Sequence, residues 1–160
     1  MTPIVNGFSI SAQRAVGYQE AFPYLCDELR RHGFEVLSEL RVGPALEHEL
    51  GLSWAHLGLS WQNYTVLVVW SPPDACQAVL SDRDGGLLAP FNICVAGNSQ
   101  CTVAAVINYY SALIPRDGPI GIRLVIRNLT RRIYEVLQEF AHEGQPSIRN
   151  EAEVAEVHMV

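Results

Sequence analysis

Phe91-Asn92-Ile93-Cys94-Val95-Ala96-Gly97-Asn98-Ser99-Gln100-Cys101-Thr102-Val103-Ala104-Ala105-Val106-Ile107-Asn108 is the stretch on which the fold turns. It reads as two strands, Phe91–Ala96 and Thr102–Asn108, folded back at Gly97-Asn98, where Asn and Gly tolerate the left-handed backbone of a tight hairpin. Both strands are apolar at odd and even positions, so both of their faces want cover. With the turn placed in Gly97–Gln100, Ala96 is expected opposite Cys101 and Cys94 opposite Val103. The two cysteines are then not opposite each other, and no bridge between them is expected.

Upstream, Tyr64–Ser71 is a third strand with apolar residues on both faces, and it holds a continuous apolar run of strand length, Val66–Trp70. Pro72-Pro73-Asp74 opens a short helix that runs through Leu80, with proline in the first turn where its missing N–H costs nothing. Asp82–Gly86 is a turn. Further back, Phe34–Val42 alternates, Phe34, Val36 and Leu40 against Glu35, Glu39 and Arg41, which describes a strand with one wet face. A short helix, Pro44–Leu50, follows and ends at Gly51. Phe8–Arg14 alternates weakly as a first strand.

Two long helical stripes flank these strands. Tyr18, Phe22, Leu25 and Leu29 recur at four, three and four residues, one face of a helix. It stops at Gly33, after Arg30, Arg31 and His32 have put positive groups at the negative end of the dipole. Pro23 falls inside this stripe, so the regular helix either begins near Phe22 or kinks there. From Pro119 to Glu143, the residues Ile122, Val125, Ile126, Leu129, Ile133, Val136, Leu137 and Phe140 form the broader stripe. Two such helices need a common sheet to cover. The chain is therefore read as α+β: an antiparallel sheet of four to five strands with two principal helices on one face. Residues 1–143 form a single domain, and 144–160 form a polar, acidic tail.

The 160 residues, 49% of them hydrophobic, are enough for one domain that buries its own core without a staple. The formal charge is −6, and every one of the 11 basic residues is Arg. A chain without Lys makes no Schiff base and no P-loop clamp. An acidic balance without a basic block argues against nucleic acid as a partner. No run reaches the roughly 18 apolar residues of a spanning helix, and Met1-Thr2-Pro3-Ile4 does not open a secretory signal. A cytoplasmic protein with no membrane partner is expected, its four cysteines reduced thiols that mostly fill the core. Only Cys101, at the hairpin edge, is expected to be partly open.

The familiar catalytic patterns fail one by one. His48-Glu49-Leu50-Gly51-Leu52 starts like a zinc motif but has Leu52 where the second histidine must stand. The other histidines are scattered, so no metal is expected. Gly58-Leu59-Ser60-Trp61 is not a nucleophile elbow, no dinucleotide loop is present, and no cofactor is expected. Two features are less ordinary. Gly-Leu-Ser-Trp occurs twice, at Gly51–Trp54 and Gly58–Trp61. It reads either as a loop capping a core edge or as an aromatic wall for a ligand or partner. Arg123, Arg127 and Arg131 follow one another at every fourth position, continued by Glu135, Glu139 and Glu143. That line is either a solvated face with an Arg131–Glu135 pair or, at Arg123 and Arg127, a place to hold an anion.

In order along the chain, four strings resemble the family called domain of unknown function 302. They are Gly33–Leu40 with Leu50-Gly51 after it, Tyr64–Pro72, Gly86–Ile93 and Val103–Asn108. The resemblance spans Gly7–Glu143. It implies the arrangement β-α-β4-α, similar to that of the TATA-binding protein, and a homodimer. The family's two cysteines fall on Trp70 and Phe91 and its aspartate on Ile107, so the resemblance implies a divergent member with an apolar version of the same place. The family brings no reaction with it. Two classes of function stay open. The first is a non-catalytic dimeric binding or structural module that takes an apolar small ligand or a protein partner on Trp54, Trp61, Trp70 and Phe91. The second is an enzyme with a site at the ends of strands 64–71 and 91–96, using Ser71, Asn92 and Asn108; none of these titrates near neutrality, which is weak material for acid–base work.

Overall fold

The structure, a computed structural model, describes residues 2–51, 53, 62–88, 90–108 and 119–142. Strands β1 (Ile4–Val5) and β2 (Ser9–Arg14) lead into helix α1 (Tyr18–Arg31). Strand β3 (Glu35–Arg41), helix α2 (Val42–Leu50), strand β4 (Asn63–Trp70) and helix α3 (Pro72–Ser81) follow. A 3-10 turn at Arg83–Leu88, the hairpin β5 (Phe91–Gly97) and β6 (Thr102–Ile107), and helix α4 (Ile120–Ala141) complete the described elements. The strands form one antiparallel sheet in the order β1-β2-β6-β5-β4-β3. The class is the expected α+β, with six strands rather than four to five. The strand beyond the expectation is β1, two residues long and too short to show alternation. It is folded onto β2 by Asn6, whose side-chain oxygen accepts from the Phe8 N–H at 2.8 Å and the Ser9 N–H at 2.7 Å.

Alternation along the strands decides the faces. Ile10 and Ala12 of β2, Leu67 and Val69 of β4, Phe91, Ile93 and Val95 of β5, and Ala104 and Val106 of β6 all point to one side. There they meet Ala21, Leu25 and Leu29 of α1 and Leu129, Ile133, Val136, Leu137 and Phe140 of α4 in a single core. Both principal helices therefore cover the same face, as their stripes require. At the far end Arg14, buried on β2, donates to the carbonyls of Phe140 (3.0 Å) and His142 (2.6 Å) and lies 4.2 Å over the Tyr24 ring. That closes the last turn of α4, whose carbonyls have no partner within the helix.

Helix α1 neither waits for Phe22 nor breaks at Pro23. It starts at Tyr18, where the N–H groups of Glu20 and Ala21 both return to the Gly17 carbonyl. Pro23 so near the start removes only the donor that Gln19 would have received. The helix ends as expected at Gly33, with φ 76°.

The hairpin register differs from the expected one by two residues. Ala96 stands opposite Val103 and Cys94 opposite Ala105, because β5 runs on to Gly97 and the loop is Asn98–Cys101. The Asn98 side chain closes that loop by accepting from the N–H groups of Gln100 (2.8 Å) and Cys101 (2.9 Å). A shift of two preserves which side chains share a face, and the two cysteines are again not partners.

Strand β3 departs more. Its pairing with β4 steps between Val36 and Ser38, so that Val36 faces Val69 but Glu39 faces Leu67 and Leu40 faces Val66. The extra residue of this bulge reverses the alternation beyond it. Leu40, expected inward with Phe34 and Val36, is 52% exposed on the opposite face. Glu39 and Arg41, expected on the wet face, are carried to the helix side.

Candidate functional site

The sequence candidates do not come together as one site. Trp54, Trp61 and the tail from 144 onward lie outside the described residues. Phe91 is a core side chain, 3% exposed, packed edge-to-face on Phe34 with ring centroids 5.6 Å apart. Asn108 is buried and donates from its side chain to the Asn6 carbonyl at 2.8 Å, while its backbone N–H reaches Phe8. It braces the β1–β2 turn. Ser71 is buried at the start of α3, where its hydroxyl accepts from Arg132 at 3.0 Å.

Arg132 is the residue that sequence reading passed over. It stands one position away from the Arg123–Arg127–Arg131 line, and a turn of about 100° moves it from the wet side toward the core. Its guanidinium bonds Ser71, the Asp74 carboxylate and the His32 carbonyl, and it lies 4.5 Å over the Phe34 ring. Asp74 also accepts from Asn128 at 3.1 Å. Helix α3, helix α4 and the end of α1 are thereby tied through one largely buried ion pair, its side chains 17% and 12% exposed. Arg131 and Glu135 pair at 2.6 Å on the outside, as expected, while Arg123 and Arg127 occupy the preceding turns of the same helix.

The face of the sheet turned away from α1 and α4 gathers the remaining candidates. Tyr64, Val66, Val68 and Trp70 of β4 share it with Asn92 and Cys94 of β5 and Val103, Ala105 and Ile107 of β6. Val66, Val68, Trp70, Cys94, Val103 and Ala105 are half-buried there, while Asn92 is exposed and Ile107 is 42% exposed. Val68 stands directly opposite Asn92, and Trp70 and Ile107 lie at this same end of their strands. The Trp70 indole N–H donates to Glu35 on β3 at 2.9 Å. A hydrogen bond with the Cys94 thiol, and then burial, push the Tyr64 phenol up to about 12. It is neutral at physiological pH and adds no charge to this face.

Cys26 and Cys101 are buried and partly open as expected, while Cys76 and Cys94 are not the core thiols expected. All four are free. Cys26 is buried, and burial pushes it up to about 11, with the Glu39 charge adding to the effect. Cys94 and Cys101 are half-buried. Cys76, expected in the core with its helix neighbours, is exposed. Ala75 and Ala78 take the inward face of α3, and the next position along a helix points elsewhere.

A second feature was not legible in the sequence. A cleft of about 380 Å³ opens where the start of α1 meets the ends of β3 and β4. Its inner wall is Tyr18, whose hydroxyl shares a buried 2.6 Å hydrogen bond with the Thr65 hydroxyl. Phe22 stacks on Tyr18 with centroids 5.3 Å apart and planes 23° apart. Glu39, Arg41, Gln62 and Asn63 form the polar rim. Burial raises the Tyr18 phenol above its ordinary value; the Thr65 bond and Arg41 oppose that rise, and Glu39 adds to it. Both charges thus act on the same hydroxyl. Among the described residues neither Glu39 nor Arg41 forms an ion pair. The β3 bulge delivers both to the cleft, and bulges leave no clear mark in composition.

The family model of the domain of unknown function DUF302 matches residues 10–140. The chain belongs to that family. A solved structure of the same family, an uncharacterized conserved DUF302 protein from Bacillus stearothermophilus, is similar with a TM-score of 0.67 at 18% identity. The match covers 84% of this chain and 98% of that one. No curated protein matches significantly. Within the DUF302 fold, Trp70 and Ile107 occupy the face turned away from α1 and α4, and Phe91 the core. The three positions at which the sequence resemblance lost its polar groups are thus split between two faces. Among the described residues no helix is long and apolar enough to cross a membrane.

Proposed function

We propose that this DUF302 protein is a homodimeric, non-catalytic binding module whose subunits meet through the sheet face opposite α1 and α4. The observation that carries this reading is the composition of that face. Across β4, β5 and β6 it presents Tyr64, Val66, Val68, Trp70, Cys94, Val103 and Ala105 without a charged side chain. The central part of a stable interface is apolar and depleted of charge. A two-fold axis lets one such patch meet its own copy. The Trp70–Asn92–Ile107 end of the face is the place for an apolar ligand or protein partner at the rim. The four free cysteines fit a cytoplasmic setting, and residues 1–143 are read as the domain with 144–160 as its tail.

What weighs against catalysis by Ser71, Asn92 and Asn108 is their dispersal. Ser71 belongs to the Arg132 cluster, Asn108 to the β1–β2 turn, and Asn92 to the open face. Light scattering at tens of micromolar tests the reading: the expected mass is twice the 17.7 kDa of one chain. Val66→Asp, which places a carboxylate opposite Cys94 in the middle of the face, is expected to give the single-chain mass with an unchanged far-UV spectrum. A native protein that stays monomeric overturns the proposal.

A further inference from the structure

The geometry points to the cleft between α1, β3 and β4 as a binding site for a small zwitterion carrying a flat apolar group, of the chemical class of the aromatic amino acids. This site lies on the helix side of the sheet and does not depend on the dimer.

Four observations converge on that class. The cleft, at about 380 Å³, falls at the lower end of the roughly 300–1,000 Å³ of small-molecule pockets, so the ligand is small. Glu39 and Arg41 are two residues apart on one face of β3, their Cα atoms about 6.8 Å apart, and among the described residues neither has an ion-pair partner. A ligand that brings an ammonium to Glu39 and a carboxylate to Arg41 satisfies both at once. A simple cation or anion leaves one of them facing a group of its own sign or none at all. The Tyr18–Phe22 ring pair, with Pro23 and Pro44 beside it, offers a flat apolar wall on which a ring can pack. Gln62 and Asn63 on the rim add amide donors and acceptors, and the Tyr18–Thr65 hydroxyl pair closes the floor. Convergent polar groups beside an apolar wall are what orient a small ligand.

The probes are L-phenylalanine, N-acetyl-L-phenylalanine, which keeps only the negative charge, and L-phenylalaninamide, which keeps only the positive one. Calorimetry or amide-shift titration of the full chain is expected to show saturable binding of L-phenylalanine, with each single-charge probe at least about tenfold weaker. Arg41→Gln is expected to weaken L-phenylalanine and the acetylated probe while sparing the amide. Glu39→Gln is expected to do the reverse, weakening L-phenylalanine and the amide only. Both residues are exposed, so the variants keep the fold, which circular dichroism checks. The assignment falls if no probe saturates by about 10 mM. It also falls if the single-charge probes match the zwitterion, or if both variants bind as the native chain does. None of these results bears on the dimer.

Discussion

Arg132→Met is expected to be among the most damaging single substitutions that leave the hydrophobic core untouched. The side chains of Arg132 and Asp74 are 17% and 12% exposed, so the pair sits in largely desolvated surroundings. Removing the guanidinium leaves the Asp74 carboxylate with Asn128 as its remaining partner, at 3.1 Å. The Ser71 hydroxyl and the His32 carbonyl each lose a donor as well. Breaking one side of a buried pair costs about 3–5 kcal/mol, mostly because the other charge stays behind. Taking about 4 kcal/mol, and about 2–4 °C of Tm per kcal/mol for a domain near this size, the melting temperature should fall by roughly 8–16 °C. Urea unfolding gives the free energy directly. Arg131→Met is the internal control, because its pair with Glu135 is 60% and 41% exposed; an exposed pair of this kind is worth about 0.2–1 kcal/mol. The decisive variant is Asp74→Asn combined with Arg132→Met. It removes the stranded charge, so it should be more stable than Arg132→Met alone. The reasoning is refuted if Arg132→Met costs no more than Arg131→Met, or if the double variant is as unstable as the sum of the two single ones.

Three other outcomes follow from the same structure. The Cys26 thiol titrates at about 11 in the folded chain against an ordinary 9.0. Its protonated form is thus favoured by folding, and its contribution is complete below pH 9 and lost as pH rises through 11. Two units correspond to about 2–3 kcal/mol, so urea midpoints measured from pH 8 to 11 should fall less steeply in Cys26→Ala than in the native chain. Thiol labelling of the native protein at neutral pH should modify Cys76 first and Cys26 last, an order that mass spectrometry of the modified peptides can read. Gly33→Ala places a β-carbon at φ 76° and within 3.0 Å of an Arg132 guanidinium nitrogen; a loss of about 1–2 kcal/mol is expected, and a stabilised variant would contradict the helix-end geometry.

The strings of residues that alternate or recur every three to four positions were enough to locate most elements. Ile93, Val95, Ala104 and Val106 share one face because of their two-residue period, and the tertiary structure turns that face, rather than the equally apolar other one, to Leu25 and Leu137. Gly33 and Gly51 stop their helices for a reason visible in one residue each, a left-handed backbone that Gly adopts at no steric cost. The apolar second face of Val66, Val68, Cys94 and Ala105 was equally plain.

What the chain hid is whatever depends on one residue's offset against a distant partner. The bulge in β3 turns Glu39 and Arg41 to the helix side and Leu40 away from it, because a single extra residue reverses a period of two. Arg132 and Arg131 are neighbours in sequence, yet one is half-buried against Asp74 and the other pairs with Glu135 in solvent, because a helix turns about 100° per residue. Cys76 is exposed beside buried Ala75 by the same rotation. Local periodicity determined the elements and the faces they must bury. Tertiary structure decided which polar side chains those faces carry with them, since that is settled by register and rotation between segments far apart in the chain.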